Sequence, residues 1–259
     1  MRSFLILLAA FCWLGAPLSA WAHDHVQIAQ QNMPAVVAVN VLKKDGSTFT
    51  GTGFVLTQDG LIATSRHVLD DALYLNLTFS NGTVSGEAVP LAQDDVADVA
   101  LLKIQAEFLP YTTLSADDNA LPGQTITVIG NPRRLQNTVT SGIISQVRPQ
   151  KDGTRWLQIS APISPSSSGS PVFNEKGEVI AMAFATLSGE DNQNLNFALP
   201  VSYIQALAAQ TGISLPGQLP TPVATPSGNP FVRHIKKSWQ ISKRLLRRWF
   251  SSQPAKDHV

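Results

Sequence analysis

Between Pro34 and Leu199 apolar and polar residues alternate in short runs, and each run ends at a turn signal. "AVVAVNVLKK" stops at Asp45-Gly46 and resumes as "STFTGTGFVLT"; Gln58-Asp59-Gly60 then leads into "LIAT". "LYLNLTF" meets Asn81-Gly82, a strong hairpin dipeptide, and returns as "TVSGEAVPL". "VALLKI", "TITVIG", "TVTSGIISQV", "RWLQIS" and "EVIAMAFATL" follow, with a further hairpin at "NEKGE". Many short strands without long helices between them predict an all-β barrel or sandwich architecture. One segment breaks the period: "VSYIQALAAQTG" predicts a helix that Ser202 can cap and Gly212 can stop.

The two ends follow other patterns. "MRSFLILLAAFCWLGAPLSAWA" joins one arginine, an apolar run from Phe4 to Leu14 and small residues up to Ala22, the layout of a secretory signal peptide over residues 1–22. This predicts a periplasmic or secreted protein. The single cysteine, Cys12, falls inside that segment, so no disulfide is expected and the core must carry the stability. Cleavage would expose His23-Asp24-His25, whose amine, amides and third-position imidazole could form a square-planar copper or nickel site. That spacing also arises incidentally, and no metal is assigned.

Residues 213–230 are rich in proline and read as an extended linker. Residues 231–252 then predict a basic amphipathic helix, followed by a tail at 253–259. Val232, Ile235, Trp239, Leu246 and Trp249 share one face, which Ser242 interrupts. Residues 231–259 hold eight of the 19 Lys and Arg and one of the 18 acids, a net +7 against −6 for the body. Such a segment suits peripheral contact with an anionic membrane, docking on the acidic body, or packing on the core or a partner. Nucleic acid is not an expected partner, because export and the apolar seam oppose it.

"SPSSSGSPVF", Ser164–Phe173, is by composition a turn. It becomes a candidate nucleophile only if a base and an orienting acid exist elsewhere. His67 closes "LIATSRH", and Asp98 immediately precedes the apolar run "VALLKI". An acid entering a buried strand is costly unless paired, and a histidine N–H is a suitable partner. Asp94 and Asp95 read as solvated turn residues.

Five segments in order, "GTGFVLTQDGLIATSRHVLDDA", "ADVALLKI", "IGNPRRLQNTVTSGIISQV", "ISPSSSGSPVFNEKGEVIAM" and "NLNFALPVSYI", resemble bacterial trypsin-like serine proteases. They are most similar to the HtrA/Deg protease domain, and the likeness covers about Pro34 to Gly212. It implies a protease domain at 23–212 built of two six-stranded Greek-key β-barrels, about 26–115 and 116–212, with a short helix after the second. It further implies a serine endopeptidase acting on polypeptides without a cofactor. His67 is then the base, Asp98 its orienting acid and Ser168 the nucleophile, while the N–H groups of Ser166 and Ser168 form the oxyanion hole. The order His, Asp, Ser is that of the chymotrypsin type.

The resemblance has one telling departure. Glycine is usual where this chain has Ser166, and a positive φ there would cost a serine on the order of 1–2 kcal/mol. A flipped peptide would remove one donor, which costs on the order of 10²–10³ in rate. The rival reading is therefore a catalytically impaired relative that only binds polypeptides. Ser170 replaces a second glycine just past the elbow. In this fold the first side-chain pocket is formed by residues 161–164, 181–186 and 196–199, here including Ile163, Ala183, Phe184, Ala185 and Asn196. None of these segments carries an acid or a base, which predicts cleavage after small or aliphatic residues. The family's familiar members add a PDZ domain; with about 45 residues after Gly212, none is expected here.

Overall fold

Strands form where the period of two is strongest, and the chain reverses at the glycine, asparagine and aspartate signals. A computed structural model describes residues 24–131, 137–189 and 192–216. The expected signal peptide at 1–22, His23, most of the expected linker, the expected basic helix at 231–252 and the tail lie outside the described residues. Helix α1 (His25–Asn32) comes first, its N-terminus capped by Asp24, which accepts from the Gln27 N–H at 2.8 Å. Seven strands then build the first lobe: β1 (Val36–Lys43), β2 (Thr48–Val55), β3 (Leu61–Ser65), β4 (Ala72–Phe79), β5 (Val84–Glu87), β6 (Val89–Asp94) and β7 (Val99–Lys103). The second lobe holds β8 (Thr125–Gly130), β9 (Thr138–Pro149), β10 (Arg155–Ile159), β11 (Ser170–Phe173), β12 (Val179–Gly189) and β13 (Asn192–Pro200), followed by helix α2 (Val201–Gln210).

The second lobe is a closed six-stranded barrel, in the order β10-β13-β12-β11-β8-β9. The first is a seven-stranded sheet, β5-β4-β1-β2-β3-β7-β6. Its two edge strands are consecutive in the chain, parted only by Ala88, whose N–H leaves the strand line to bond Leu75 O at 2.9 Å. The run expected as one strand, "TVSGEAVPL", thus serves β4 with its first half and β7 with its second. The sheet curls because one bent segment supplies both of its edges.

Alternation decides what each face meets. Val37, Val39, Val41, Ile62 and Leu102 point into the first lobe, and Val128, Ile144, Ile159 and Val172 into the second. Phe54, Leu61, Leu101, Phe173 and Met182 point between the lobes, where Ile28 of α1 and Ile204 and Leu207 of α2 seal them. Helix α1 was not anticipated, since eight residues with a weak apolar stripe give little periodic signal. The expected cap of α2 is corrected: Ser202 lies within the first turn, because β13 runs straight into the helix and Pro200 occupies the cap position. The stop is as read. Gly212 has φ +73°, and its N–H bonds Ala209 O at 3.0 Å.

Candidate active site

Pairing of β3 with β7 sets Ser65 opposite Val99, which brings residues 66–67 beside residue 98. His67 sits in the 3-10 turn Arg66–Leu69. Asp98 adopts φ +53°, a left-handed conformation that aspartate tolerates better than most residues. From there its Oδ1 accepts from the His67 backbone N–H at 2.9 Å, and its Oδ2 meets His67 Nδ1 at 2.7 Å. A carboxylate only accepts, so the proton resides on Nδ1 and Nε2 is left as a base. Val68 of the same turn packs against Gly51, where a Cβ would come within 2.7 Å of both valine methyls. Only glycine at residue 51 lets the histidine turn seat this closely.

Arg66 is a neighbour that sequence reading passed over. Its guanidinium pairs with Asp70, at the end of its own turn, and with Asp95, in the loop that leads to Asp98. Asp95 is therefore paired rather than merely solvated. Asp94 ends β6 and accepts from the N–H groups of Val96 and Ala97 at 2.9 and 3.0 Å, shaping the same loop.

The serine stretch folds into two consecutive turns. Ser167 N–H bonds Ser164 O at 2.9 Å across Pro165-Ser166, and Ser170 N–H bonds Ser167 O at 2.9 Å across Ser168-Gly169. Ser166 has φ +77° and Gly169 φ +90°, each in the third turn position, so both turns are type II. Proline, with φ fixed near −65°, suits the second position of the first turn. Ser166 thus carries the positive φ itself, at a cost of about 1–2 kcal/mol. Among the described residues, the N–H groups of Ser166 and Ser168 donate to no acceptor. These two donors, two residues apart on adjacent turns, are the pair expected to form the oxyanion hole.

The turns rest on the first lobe. Thr52 N–H donates to Ser168 O at 2.8 Å, while Thr64 Oγ1 of β3 donates to Thr52 O at 2.7 Å. A Cβ on Gly169 would stand 1.9 Å from Thr52 O, so the elbow admits no side chain there. Ser168 is accordingly tied to Thr52 of β2, and the adjoining Gly169 sits against Thr64 of β3, three residues before His67. The Ser168 Oγ donates to the Phe184 carbonyl at 3.2 Å and, among the described residues, makes no hydrogen bond to His67. Ser170 is fully buried, and its hydroxyl has no partner among the described residues.

Of the expected pocket residues, Ala183 is fully buried and Phe184 is half-buried, its ring edge-on to Trp156 with centroids 5.1 Å apart. Ile163 packs on the interior of the second lobe. Asn196 is buried, and its amide donates to Ala161 O at 2.8 Å, tying β13 to the segment before the serine turns. Ala185 continues β12; its side chain lies outside the described residues. Sequence reading missed Thr52 and Arg66. The only cue for Thr52 was its place between two glycines.

With this geometry in view, comparisons with known proteins give a consistent result. Residues 51–182, just over half of the chain, match the family model of the trypsin-like peptidase domain. A putative serine protease HhoB of Synechocystis is 39% identical over 166 residues, 61% of this chain and 39% of the relative. A probable periplasmic DegP-like serine endoprotease of Chlamydia trachomatis is 36% identical over 155 residues, 58% of this chain and 31% of the relative. The chain thus spans well under half the length of these curated relatives. Among solved structures, the serine endoprotease from Yersinia pestis superposes with a TM-score of 0.65 at 30% identity, covering 73% of this chain and 66% of that one. The HtrA-type protease AlgW with tripeptide gives a TM-score of 0.66 at 26% identity, covering 71% and 62%. The chain belongs to the family of trypsin-like peptidase domains, with HtrA- and DegP-type serine proteases among its relatives.

Proposed function

We propose that the protein is an exported serine endopeptidase that cleaves peptide bonds through His67, Asp98 and Ser168. The observation that carries this reading is the two-point bond between His67 and Asp98, together with a serine turn whose Ser166 and Ser168 N–H groups donate to no acceptor among the described residues. His67 Nε2 takes the Ser168 proton as Oγ attacks the substrate carbonyl. The N–H groups of Ser166 and Ser168 receive the developing oxyanion, and Asp98 stabilises the imidazolium. Collapse expels the amine, which takes the proton from His67, and water then hydrolyses the acyl-enzyme by the same route. Ser168 Oγ must first leave the Phe184 carbonyl, a single χ1 rotation.

A fluorophosphonate probe tests the reading directly. It should label the protein, with labelling lost in Ser168→Ala and strongly slowed in His67→Ala. An unlabelled wild type that cleaves no unfolded polypeptide would refute it. The bond from Ser168 to Phe184 favours a second reading, a polypeptide-binding relative without catalysis. That reading predicts binding of unfolded polypeptide with no labelling.

Cleavage after small or aliphatic residues is proposed from the apolar or neutral character of 161–164, 181–186 and 196–199. An arginyl substrate preferred to its valyl analogue would contradict it. Export to the periplasm is proposed from the leader-like residues 1–22 and agrees with the periplasmic designation of the Chlamydia relative. Peripheral membrane contact through 231–252 is a separate proposal, which fails if truncation at residue 230 leaves pelleting with anionic liposomes unchanged.

A further inference from the structure

We infer that Thr52 is the positioning residue of the oxyanion turns, the group that keeps Ser166 and Ser168 in register with the rest of the site. The inference rests on the hydrolase reading above and extends it to a residue of the opposite lobe. Each of the two residues that offer a free N–H has its own carbonyl tied to Thr52. The Thr52 backbone N–H holds Ser168 O at 2.8 Å, and the Thr52 hydroxyl holds Ser166 O at 2.8 Å.

The hydroxyl is aimed before it is used. A threonine has one proton to give and two lone pairs to receive with. The Asn131 N–H donates to Thr52 Oγ1 at 3.0 Å, so a lone pair is engaged and the proton is directed to Ser166 O. Thr52 is itself fully buried, and its carbonyl is held by the Thr64 hydroxyl at 2.7 Å, so the donor cannot swing away. A residue at φ +77° persists where its surroundings over-determine it. Pro165 restrains the chain on one side of Ser166, and Thr52 restrains the carbonyl on the other. With glycine at residue 166 this tether would matter less; with serine it opposes the relaxation that would misdirect the N–H.

Replacement by valine keeps the shape of Thr52 and its backbone bond to Ser168 O but deletes the hydroxyl. We expect Thr52→Val to lower kcat about 10- to 100-fold with KM within about twofold, because a misaimed hole donor acts on the transition state alone. Inhibition by a peptidyl aldehyde, whose adduct carries an oxyanion, should weaken by the same factor, while affinity for a cleaved product peptide should not change. Thr52→Ser retains the donor and should recover most of the rate. Thr52→Ala carries the same expectation as valine should the valine variant not fold.

Wild-type kcat in Thr52→Val overturns the inference, as does loss in Thr52→Ser equal to that in valine, which would mark a purely structural role. A crystal structure of Thr52→Val separates this inference from the hydrolase reading. Ser166 should leave φ near +77° there even if the wild type proves inactive. An unmoved Ser166 sinks the tether whatever the activity.

Discussion

Asp98 grips His67 at two points, with Oδ2 on the imidazole and Oδ1 on the backbone N–H. The second bond holds the carboxylate in place while the first selects the tautomer. Asp98→Asn can keep the backbone bond through its amide oxygen, but it then turns an NH₂ toward Nδ1. The imidazole is left in the wrong tautomer, with Nε2 protonated. The expected result is a fall in kcat of about 10⁴ with little change in KM, measured on a peptide substrate. A loss below tenfold would remove Asp98 from the proton-transfer chain.

The conformation of Ser166 leads to a paired prediction. Ser166→Gly keeps φ +77° without a Cβ, so the folded state relaxes, partly offset by the greater freedom of glycine in the unfolded chain. A gain of about 0.5–1 kcal/mol in urea unfolding is expected, with kcat equal to or above wild type. Ser166→Pro has neither the φ nor the N–H, and should lose about 10²–10³ in kcat. Proline at wild-type rate would show that this N–H takes no part.

How far the fold could be read ahead follows from what the pattern encodes. Hairpins at Asn81-Gly82 and Asn174–Gly177 were legible because local turn chemistry fixes them, as was the stop at Gly212. The break at Ala88 was not, since the bend answers to pairing with two different strands and not to a local signal. His67, Asp98 and Ser168 stood out through segments that match a known family in order. Thr52 and Arg66 did not, because a threonine in a strand and an arginine beside a turn are ordinary residues until the opposite partner is placed. Helix α1 shows the same limit: its register comes from burying Ile28 between the lobes, a tertiary fact.

Arg66 links the histidine turn to the aspartate loop, pairing with Asp70 on one side and Asp95 on the other. All three side chains are partly exposed, so the pairs contribute about 0.5–1 kcal/mol to stability at most. Their effect on geometry is expected to exceed this. Arg66→Gln should lower kcat about three- to tenfold at low salt, and wild type should converge on the variant as ionic strength screens the pairs. Salt curves of kcat that stay parallel would count against a positioning role.

In the turn between β2 and β3, the Thr57 hydroxyl, and next Lys103, hold the Asp59 carboxyl below the usual aspartate range. A lowered folded pKa adds stability above the unfolded pKa, near 3.9, and that stability is lost as pH falls through the folded value. Asp59→Asn should therefore unfold more easily than wild type at pH 6, by no more than about 1 kcal/mol because the pair is exposed. The two should coincide near pH 2 in urea titrations. A gap that widens toward acid would have the wrong sign.

Ser170 offers the sharpest test of the buried surroundings of the elbow. Its side chain is fully buried, its hydroxyl lacks a partner among the described residues, and it abuts Gly130, where a Cβ would lie 2.2 Å from the Ser170 Oγ. A desolvated hydroxyl that bonds to nothing disfavours the folded state, whereas the Cβ itself fits. Ser170→Ala removes only the oxygen, so stability should rise by about 1 kcal/mol, read as a higher urea midpoint at unchanged m-value. The adjoining turn is held by backbone bonds, Ser170 N–H to Ser167 O and Gly169 N–H to Ala183 O at 2.7 Å, which alanine preserves. Activity should accordingly stay within about twofold. A destabilised alanine variant would mean that the hydroxyl has a partner in solution and that the elbow is set by a side-chain bond as well as by its two turns.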